Sequence, residues 1–395
     1  MKERINILKQ KMAEHDVDVL VATTPENVTN MTGFRSVSHQ MLKGTLIFSV
    51  ISQEKNSNPI LILPIGEIDR VLDKVGSVEL CTFGGNFNFV KNKSLGQQET
   101  QFLEFYEKNH PTESAFSLLT TTIRERFGTD VRIGVDERGI SHSEFMLIQD
   151  ELKSCEVFEA FGLFKKIRSI KTEREISLIQ KALQITESAL RITLNSIREG
   201  ISEVELQKIF EKQLIDQGAL PQFTLVGFGP HGAYPNVKPS ERKLKKGELV
   251  RFDLGCTYES YFSDIARTAV LGTPSEKQQS YYDALVEGEQ KILDNMKEGA
   301  VVSELFDIGV NTVKKTIGEY KRHHVGHGIG IEVYDYPVLV PHDDTVLKEN
   351  MVFCVETPYY ELGYGGWQIE DEVRVTRKGF EFLGGPLERE LWIIQ

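Results

Sequence analysis

Apolar residues in the first 160 positions switch between helical spacing and short continuous runs, which predicts a mixed α/β domain. Ile5, Leu8 and Met12 keep the spacing of one helical face, and the following Val17–Ala22 is typical of a buried strand. Further strands are predicted at Thr45–Ile51, Ile60–Leu63 and Val131–Val135. Between them, the composition predicts a loop over Gly84–Thr100 and a helix over Thr112–Phe127.

A basic segment without clear periodicity, Phe164–Lys171, indicates a domain boundary, so the predicted domains are residues 1–163 and 164–395. Two capping boxes follow it. Thr172 with Glu175 starts one helix, and Ser202 with Glu205 starts another that runs to about residue 217.

The second domain contains a faint internal repeat. The segment Arg198–Leu206 (REGISEVEL) lies between two predicted helices, and Lys297–Leu305 (KEGAVVSEL) lies between two more. Two helix pairs, each followed by strands, predict a pseudo-twofold α+β domain with its site between the halves. Chance similarity between two helix-turn-helix segments is the alternative.

Composition restricts the partners. A chain of 395 residues is long for one core, which also favours two domains. The net charge of −12 argues against nucleic acid as a partner. Apolar runs reach only strand length and the N-terminus is charged throughout, so we expect no membrane association and no signal peptide. Four scattered cysteines without metal-binding spacing favour the cytoplasm.

Two aspartates lie within apolar strand patterns of Leu249–Leu271. Asp253 and Asp264 are separated so that each falls on one of two strands joined by a turn near 257–260. Both carboxylates can then enter one cleft. Buried neighbouring carboxylates repel one another, and a cation would relieve both the burial and the repulsion.

Three further residues complete a ligand set. His327 stands between glycines, and two apolar strand patterns each contain a glutamate, Glu356 and Glu370. Four oxygen ligands with one imidazole suit Mn, Fe, Co or Zn rather than a thiolate site. In two-metal sites the ions lie about 3.5–4 Å apart and share a hydroxide that acts as the nucleophile. Cys256 and Cys354 flank these ligands and are expected to be small buried hydrophobes.

The order D-x10-D, G-H-G-I-G, E, I-E-D resembles that of the pita-bread metallohydrolases over about residues 165–383. The N-terminal half resembles the smaller domain of the creatinase, prolidase and aminopeptidase P branch. The resemblance implies an α/β N-terminal domain, a pita-bread α+β catalytic domain, and a homodimer. It also implies an Xaa-Pro dipeptidase or aminopeptidase with two divalent cations, Mn first, then Co, Zn or Fe.

The resemblance assigns a role to each ligand. Asp253 would hold one metal, and Asp264 and Glu370 would bridge both. His327 and Glu356 would hold the second metal, with Glu356 also acting as the general base.

Three usual active-site positions of the family differ here. Two usual histidines are Asn236 and Tyr334, and the arginine common before I-E-D is Gln368, whereas His323 matches a further family histidine. Asn236 and Tyr334 donate hydrogen bonds without positive charge. With Glu356, these donors and His323 form the predicted catalytic set.

These differences leave several functions open. One is cleavage of a peptide with altered specificity, and another is hydrolysis of a different C–N bond in a small amide or amidine, as the creatinase branch does without metals. A non-catalytic binding protein is the third possibility. It ranks last because unbound carboxylates in one cleft would destabilise the fold.

Overall fold

The computed structural model describes residues 2–42, 44–54, 57–72, 76–84, 89–108, 114–385 and 388–395. The chain divides into two compact units, Met1–Ile167 and Arg168–Gln395. The division falls within the helix Phe161–Ser169, a few residues after the boundary suggested by the sequence. Among the described residues, no helix is both long enough and apolar enough to cross a membrane.

The first unit is built on one mixed sheet. Its helices are α1 (Lys2–Glu14), α2 (Pro25–Thr32), α3 (Val37–Met41), α4 (Gln97–Lys108), α5 (Ala115–Phe127), α6 (His142–Glu151) and α7 (Phe161–Ser169). Its strands are β1 (Val19–Ala22), β2 (Phe48–Ser52), β3 (Ile60–Pro64), β4 (Glu79–Phe83), β5 (Arg132–Val135) and β6 (Glu156–Glu159). They pair in the order β4-β3-β2-β1-β5-β6, so the predicted α/β class is confirmed.

The four predicted strands of this unit are all present, with ends that shift by up to a few residues. The predicted loop Gly84–Thr100 is wrong at its C-terminal end, because α4 begins at Gln97. Gln and Glu are good helix formers, and they outweigh the polar composition that suggested a loop. Residues 85–88 of that loop lie outside the described residues.

In its described residues, the second unit combines four α-helices with a ten-stranded sheet and a separate two-stranded sheet. Its helices are α8 (Glu173–Leu194), α9 (Glu203–Asp216), α10 (Glu276–Asn295) and α11 (Val302–Lys314). Its strands are β7 (Leu220–Phe228), β8 (Leu249–Tyr258), β9 (Tyr261–Phe262), β10 (Ile265–Leu271), β11 (Gly326–Gly328), β12 (Asp335–Val338), β13 (Val352–Glu356), β14 (Tyr359–Glu361), β15 (Gly365–Trp367), β16 (Glu370–Val375), β17 (Phe380–Phe382) and β18 (Trp392–Ile394). Both predicted capping boxes are present, at the starts of α8 and α9.

The two helix pairs cover different parts of the sheet. The main path of the sheet is β12-β11-β13-β16-β10-β8-β7. One apolar cluster joins α8 and α9 to β8 and β10, and includes Ile179, Leu206 and Phe252. A second joins α10 and α11 to β13 and β16, and includes Leu285 and Phe353. The α+β class with two similar halves, predicted from the repeat, is therefore the observed arrangement.

Strand register at the middle of this sheet brings the acidic residues together. Glu356 on β13 lies directly opposite Glu370 on β16, and His327 on β11 lies opposite Cys354. Ala266 on β10 pairs with Glu370 on one side and with Asp253 on the other. Directly opposed residues of antiparallel strands project to the same face, so the polar side chains share one surface.

Candidate metal centre

Three predicted ligands meet around one imidazole. Nε2 of His327 lies 3.6 Å from Oδ2 of Asp264 and 3.6 Å from Oε1 of Glu370. The thiol of Cys354 joins them, and one ligand atom from each of the four residues lies within 4.8 Å of every other. All four side chains are buried. This group can hold a cation.

The buried oxygens of this group lack hydrogen-bond donors. Oδ1 of Asp264 and Oε1 of Glu370 have no hydrogen-bond partner among the described residues. Burial, with repulsion from neighbouring carboxylates, holds the pKa of both groups well above the usual range. Burial also lowers the pKa of His327 to about 4, which keeps the imidazole neutral and able to coordinate. A cation would satisfy the orphaned oxygens and remove the repulsion.

The other two predicted ligands, Asp253 and Glu356, are joined through Gln368. Its Nε2 lies 3.2 Å from Oδ2 of Asp253 and 3.4 Å from Oε2 of Glu356. Both carboxylates also repel Asp264 and Glu370 electrostatically. The five residues named from the sequence therefore lie close together, in two groups whose carboxylates repel each other electrostatically.

Arg251, two residues before Asp253 on β8, anchors this second group. Its Nη1 donates to Oε1 of Gln368 at 2.7 Å and lies 3.4 Å from Oδ2 of Asp253. Its Nη2 donates to the carbonyls of Tyr234 and Pro235 at 2.7 and 2.9 Å. The side chain is fully buried. The guanidinium of Arg251 therefore lies beside Asp253, although the residue at position 368, usually an arginine in the family, is a glutamine here.

Glu356 has an arginine and a histidine beside it. Oε2 lies 3.5 Å from Nη2 of Arg322, and Oε1 lies 3.2 Å from Nδ1 of His324. Burial, together with the charge of Arg322, lowers the pKa of His324 to about 3. Burial raises the pKa of Glu356 itself to about 7. His323, the residue named from the sequence, is exposed and contacts the ring of His324.

Tyr334 covers His327. Its ring stacks on that of His327 with centroids 3.8 Å apart and planes 17° apart. Its hydroxyl lies 3.4 Å from Nε2 of His324. The ring is about half exposed, so it forms one wall of the site while its hydroxyl reaches the buried imidazole.

Asn236 was the fourth residue of the predicted catalytic set. It is exposed, and no hydrogen bond or ion pair between it and the acidic group occurs in the described part of the chain. It directly follows Pro235, whose carbonyl Arg251 binds. His231, in the same loop, pairs with buried Glu203 at 2.8 Å and is structural.

The sequence interpretation missed three residues of this site, Arg251, Arg322 and His324, and it assigned a fourth, Cys354, to packing. A signal existed for Arg251, because an arginine within the apolar strand pattern LVRFDL must find buried partners. For Cys354, alternation along the strand places its side chain on the face of Glu356. Nothing in the sequence distinguishes His324 from its neighbour His323.

Two family models match the chain. The model described as Metallopeptidase family M24 covers residues 177–377, and the Creatinase/Prolidase N-terminal domain covers residues 4–170. A curated relative, described as an uncharacterized peptidase of Staphylococcus aureus (strain USA300), is 30% identical over 389 residues. The match spans 96% of this chain and 98% of that protein.

Solved structures with the same fold are also similar in sequence. An Xaa-Pro dipeptidase from Bacillus anthracis is 26% identical, with a TM-score of 0.81 over 100% of this chain and 99% of that one. An X-Pro aminopeptidase from Thermotoga maritima is 25% identical, with a TM-score of 0.78 over 98% and 100%. A prolidase from Pyrococcus furiosus is 26% identical, with a TM-score of 0.73 over 95% and 98%.

Proposed function

The chain belongs to metallopeptidase family M24, and from that premise we propose that it is a dinuclear hydrolase of small peptides, with Xaa-Pro dipeptides or peptides with proline in second position as first substrates. The observation that carries the proposal is the buried group of Asp264, His327 and Glu370, whose orphaned oxygens suit a divalent cation. The similarity to Xaa-Pro hydrolases supports the substrate class.

We propose the following ligand assignment. Asp253 holds one cation, His327 and Glu356 hold the other, and Asp264 and Glu370 contact both. The donor set of carboxylates and an imidazole suits Mn, Co, Zn or Fe. The cations would supply an activated water and a polarised substrate carbonyl.

Glu356 is proposed as the group that moves the proton. Its burial raises its pKa to about 7 before a cation is bound, and a bound cation would lower this pKa and leave the carboxylate ionised and able to accept a proton. Arg322 lies 3.5 Å from Oε2 and can hold the ionised carboxylate, whereas Nδ1 of His324, 3.2 Å from Oε1, accepts from the backbone N–H of Gly326. The neutral ring of His324 therefore carries its proton on Nε2, which can donate a hydrogen bond to the hydroxyl oxygen of Tyr334 and leave the hydroxyl proton of Tyr334 for a substrate.

The substrate pocket offers neutral donors where the family usually has cations. Tyr334 and Asn236 replace two histidines, and the guanidinium of Arg251 is occupied by protein acceptors. Recognition of a substrate carboxylate should therefore be weak, and binding should rely on the amide and the proline ring. This observation also favours the second candidate, a hydrolase of a neutral cyclic amide or amidine.

A panel of Xaa-Pro dipeptides tests the proposal, with each dipeptide paired with its C-terminal amide and the protein loaded with Mn, Co or Zn. We expect turnover, with kcat/KM values for acid and amide within about one order of magnitude. Glu356→Gln serves as the inactive control. Absence of turnover on the whole panel would remove the peptidase assignment. Consumption of a compound from a metabolite pool, followed by mass spectrometry, would then support the second candidate.

A homodimer completes the proposal, since the resemblance to the creatinase branch implies one. Light scattering of the purified protein measures its mass. A mass of one 44.8 kDa chain across the working concentration range would exclude the dimer.

A further inference from the structure

Cys354 lies where a metal ligand would lie. It stands on β13 directly opposite His327 on β11, so both side chains project to the same face of the sheet. Its Sγ is one of four donor atoms that lie within 4.8 Å of one another, with Asp264, His327 and Glu370. The thiol also donates to the carbonyl oxygen of Asp264 at 3.7 Å, so the sulfur lies beside the backbone as well as the side chain of that residue.

The distances agree with a single cation. Neighbouring ligand atoms of a cation with bonds of about 2.0–2.3 Å lie roughly 2.8–3.8 Å apart, whether the ion has four ligands or six. The imidazole nitrogen already lies 3.6 Å from each carboxylate oxygen. The thiol sulfur lies within 4.8 Å of the same atoms and would move closer on binding, as a fifth protein ligand beside His327, Glu356, Asp264 and Glu370.

A second observation points to a ligand at this place. Oδ1 of Asp264 and Oε1 of Glu370 are buried and have no hydrogen-bond partner in the described ranges. Oε1 of Glu370 is the atom that faces His327. Leaving such atoms unpaired is costly, and a cation between them and the thiol would satisfy both.

We propose that Cys354 is a ligand of the cation held by His327, and that its sulfur makes this position prefer Zn or Co over Mn. The inference rests on the proposed metal centre and adds to it a ligand and a metal preference. Binding exchanges the thiol proton for the cation, and the proton leaves to water. Soft thiolate ligands favour Zn, whereas carboxylate and water ligands alone suit Mn.

X-ray absorption of the full-length protein loaded with Zn tests the ligand directly. We expect one sulfur per chain at about 2.3 Å, next to nitrogen and oxygen at about 2.0–2.2 Å. Cys354→Ser should lose the sulfur signal. Cys256→Ser is the matched control, because Cys256 is also buried in this unit but bonds Thr186 and Ser263, and it should keep the signal.

A competition titration tests the preference. The ratio of Mn to Zn dissociation constants should fall in Cys354→Ser and stay unchanged in Cys256→Ser. Bound Zn with only nitrogen and oxygen neighbours in the unsubstituted protein would overturn the inference and leave the hydrolase proposal standing. A sulfur ligand on Zn in a protein that turns over no Xaa-Pro substrate would support the ligand inference and count against the peptidase proposal.

Discussion

Replacing Arg251 by methionine should destabilise the second unit strongly. Methionine roughly keeps the apolar stem of arginine but removes every donor. The guanidinium donates to carbonyls of Gly232, Tyr234 and Pro235 and to the amide oxygen of Gln368, at 2.7–3.0 Å. All of these acceptors would lose a buried donor at once.

The size of the effect follows from these contacts. A buried acceptor left without its donor costs about 1–3 kcal/mol, and such costs are not additive. Removing one partner of a buried charge pair costs about 3–5 kcal/mol, and Asp253 would lose its nearest cation. We therefore expect the free energy of unfolding to fall by about 3–5 kcal/mol, against about 5–15 kcal/mol for a typical domain.

Tryptophan fluorescence can report this unit alone. Both tryptophans of the chain, Trp367 and Trp392, lie in Arg168–Gln395. Urea unfolding should be followed with EDTA present, so that loss of metal does not add to the effect. With an m-value of about 3 kcal/mol per molar, the midpoint should fall by about 1–1.7 M.

Arg251→Lys separates charge from geometry. Lysine keeps the positive charge near Asp253 but has three donors and no planar fork. We expect it to retain part of the stability, with a midpoint between those of Arg251→Met and the unsubstituted protein. The reasoning would be refuted if the free energy of unfolding of Arg251→Met lay within about 1 kcal/mol of that of the unsubstituted protein, because the contacts would then contribute little net stability.

Three further predictions concern the metal centre. Tyr334→Phe keeps the ring stacked on His327, so it should retain the metal affinity measured by calorimetry while kcat falls. Tyr334→Ala should lower both the metal affinity and kcat. Equal metal affinities in the two variants would show that the stacked ring has no role in metal binding. Glu356→Gln should lower kcat about 10²–10⁴-fold, measured at full metal occupancy; a change in KM alone would contradict its role as general base. Burial raises the pKa of Asp264 and Glu370, so the metal-free fold loses stability as pH rises from about 4 through these raised values. The gain in melting temperature on adding Zn should therefore grow from pH 5 to 8, and a constant gain would contradict this.

The parts of the site that could be predicted are those with a strong local signal. An aspartate such as Asp253 within an apolar strand is rare enough to imply a partner, and Glu356 and Glu370 stand out in the same way. The capping boxes at Thr172 and Ser202 were predictable for a similar reason, since all their contacts are within four residues.

The parts that could not be predicted depend on contacts between distant strands. The bond from Arg251 to Gln368 spans 117 residues of sequence, and only the order of strands brings the two together. His323 and His324 are adjacent and alike in chemistry, so only the backbone path decides that His324 meets Glu356. Cys354 was expected to be a packing residue although alternation puts it on the face of Glu356, because only the pairing of β13 with β11 shows that it lies opposite His327.

The position of positive charge explains how the site can differ from the family pattern and keep its acidic residues. Gln368 stands where the family usually has an arginine, but Arg251 on β8 donates to the amide oxygen of Gln368 and lies 3.4 Å from Asp253, to which the amide of Gln368 also donates. The carboxylates therefore keep a guanidinium beside them. On the other side, Tyr334 and the neutral His324 carry no charge, and the cation near them, Arg322, is paired with Glu356. Positive charge therefore lies beside the acidic residues, whereas the groups left for a substrate are neutral, which is why we expect specificity, rather than metal binding, to have changed.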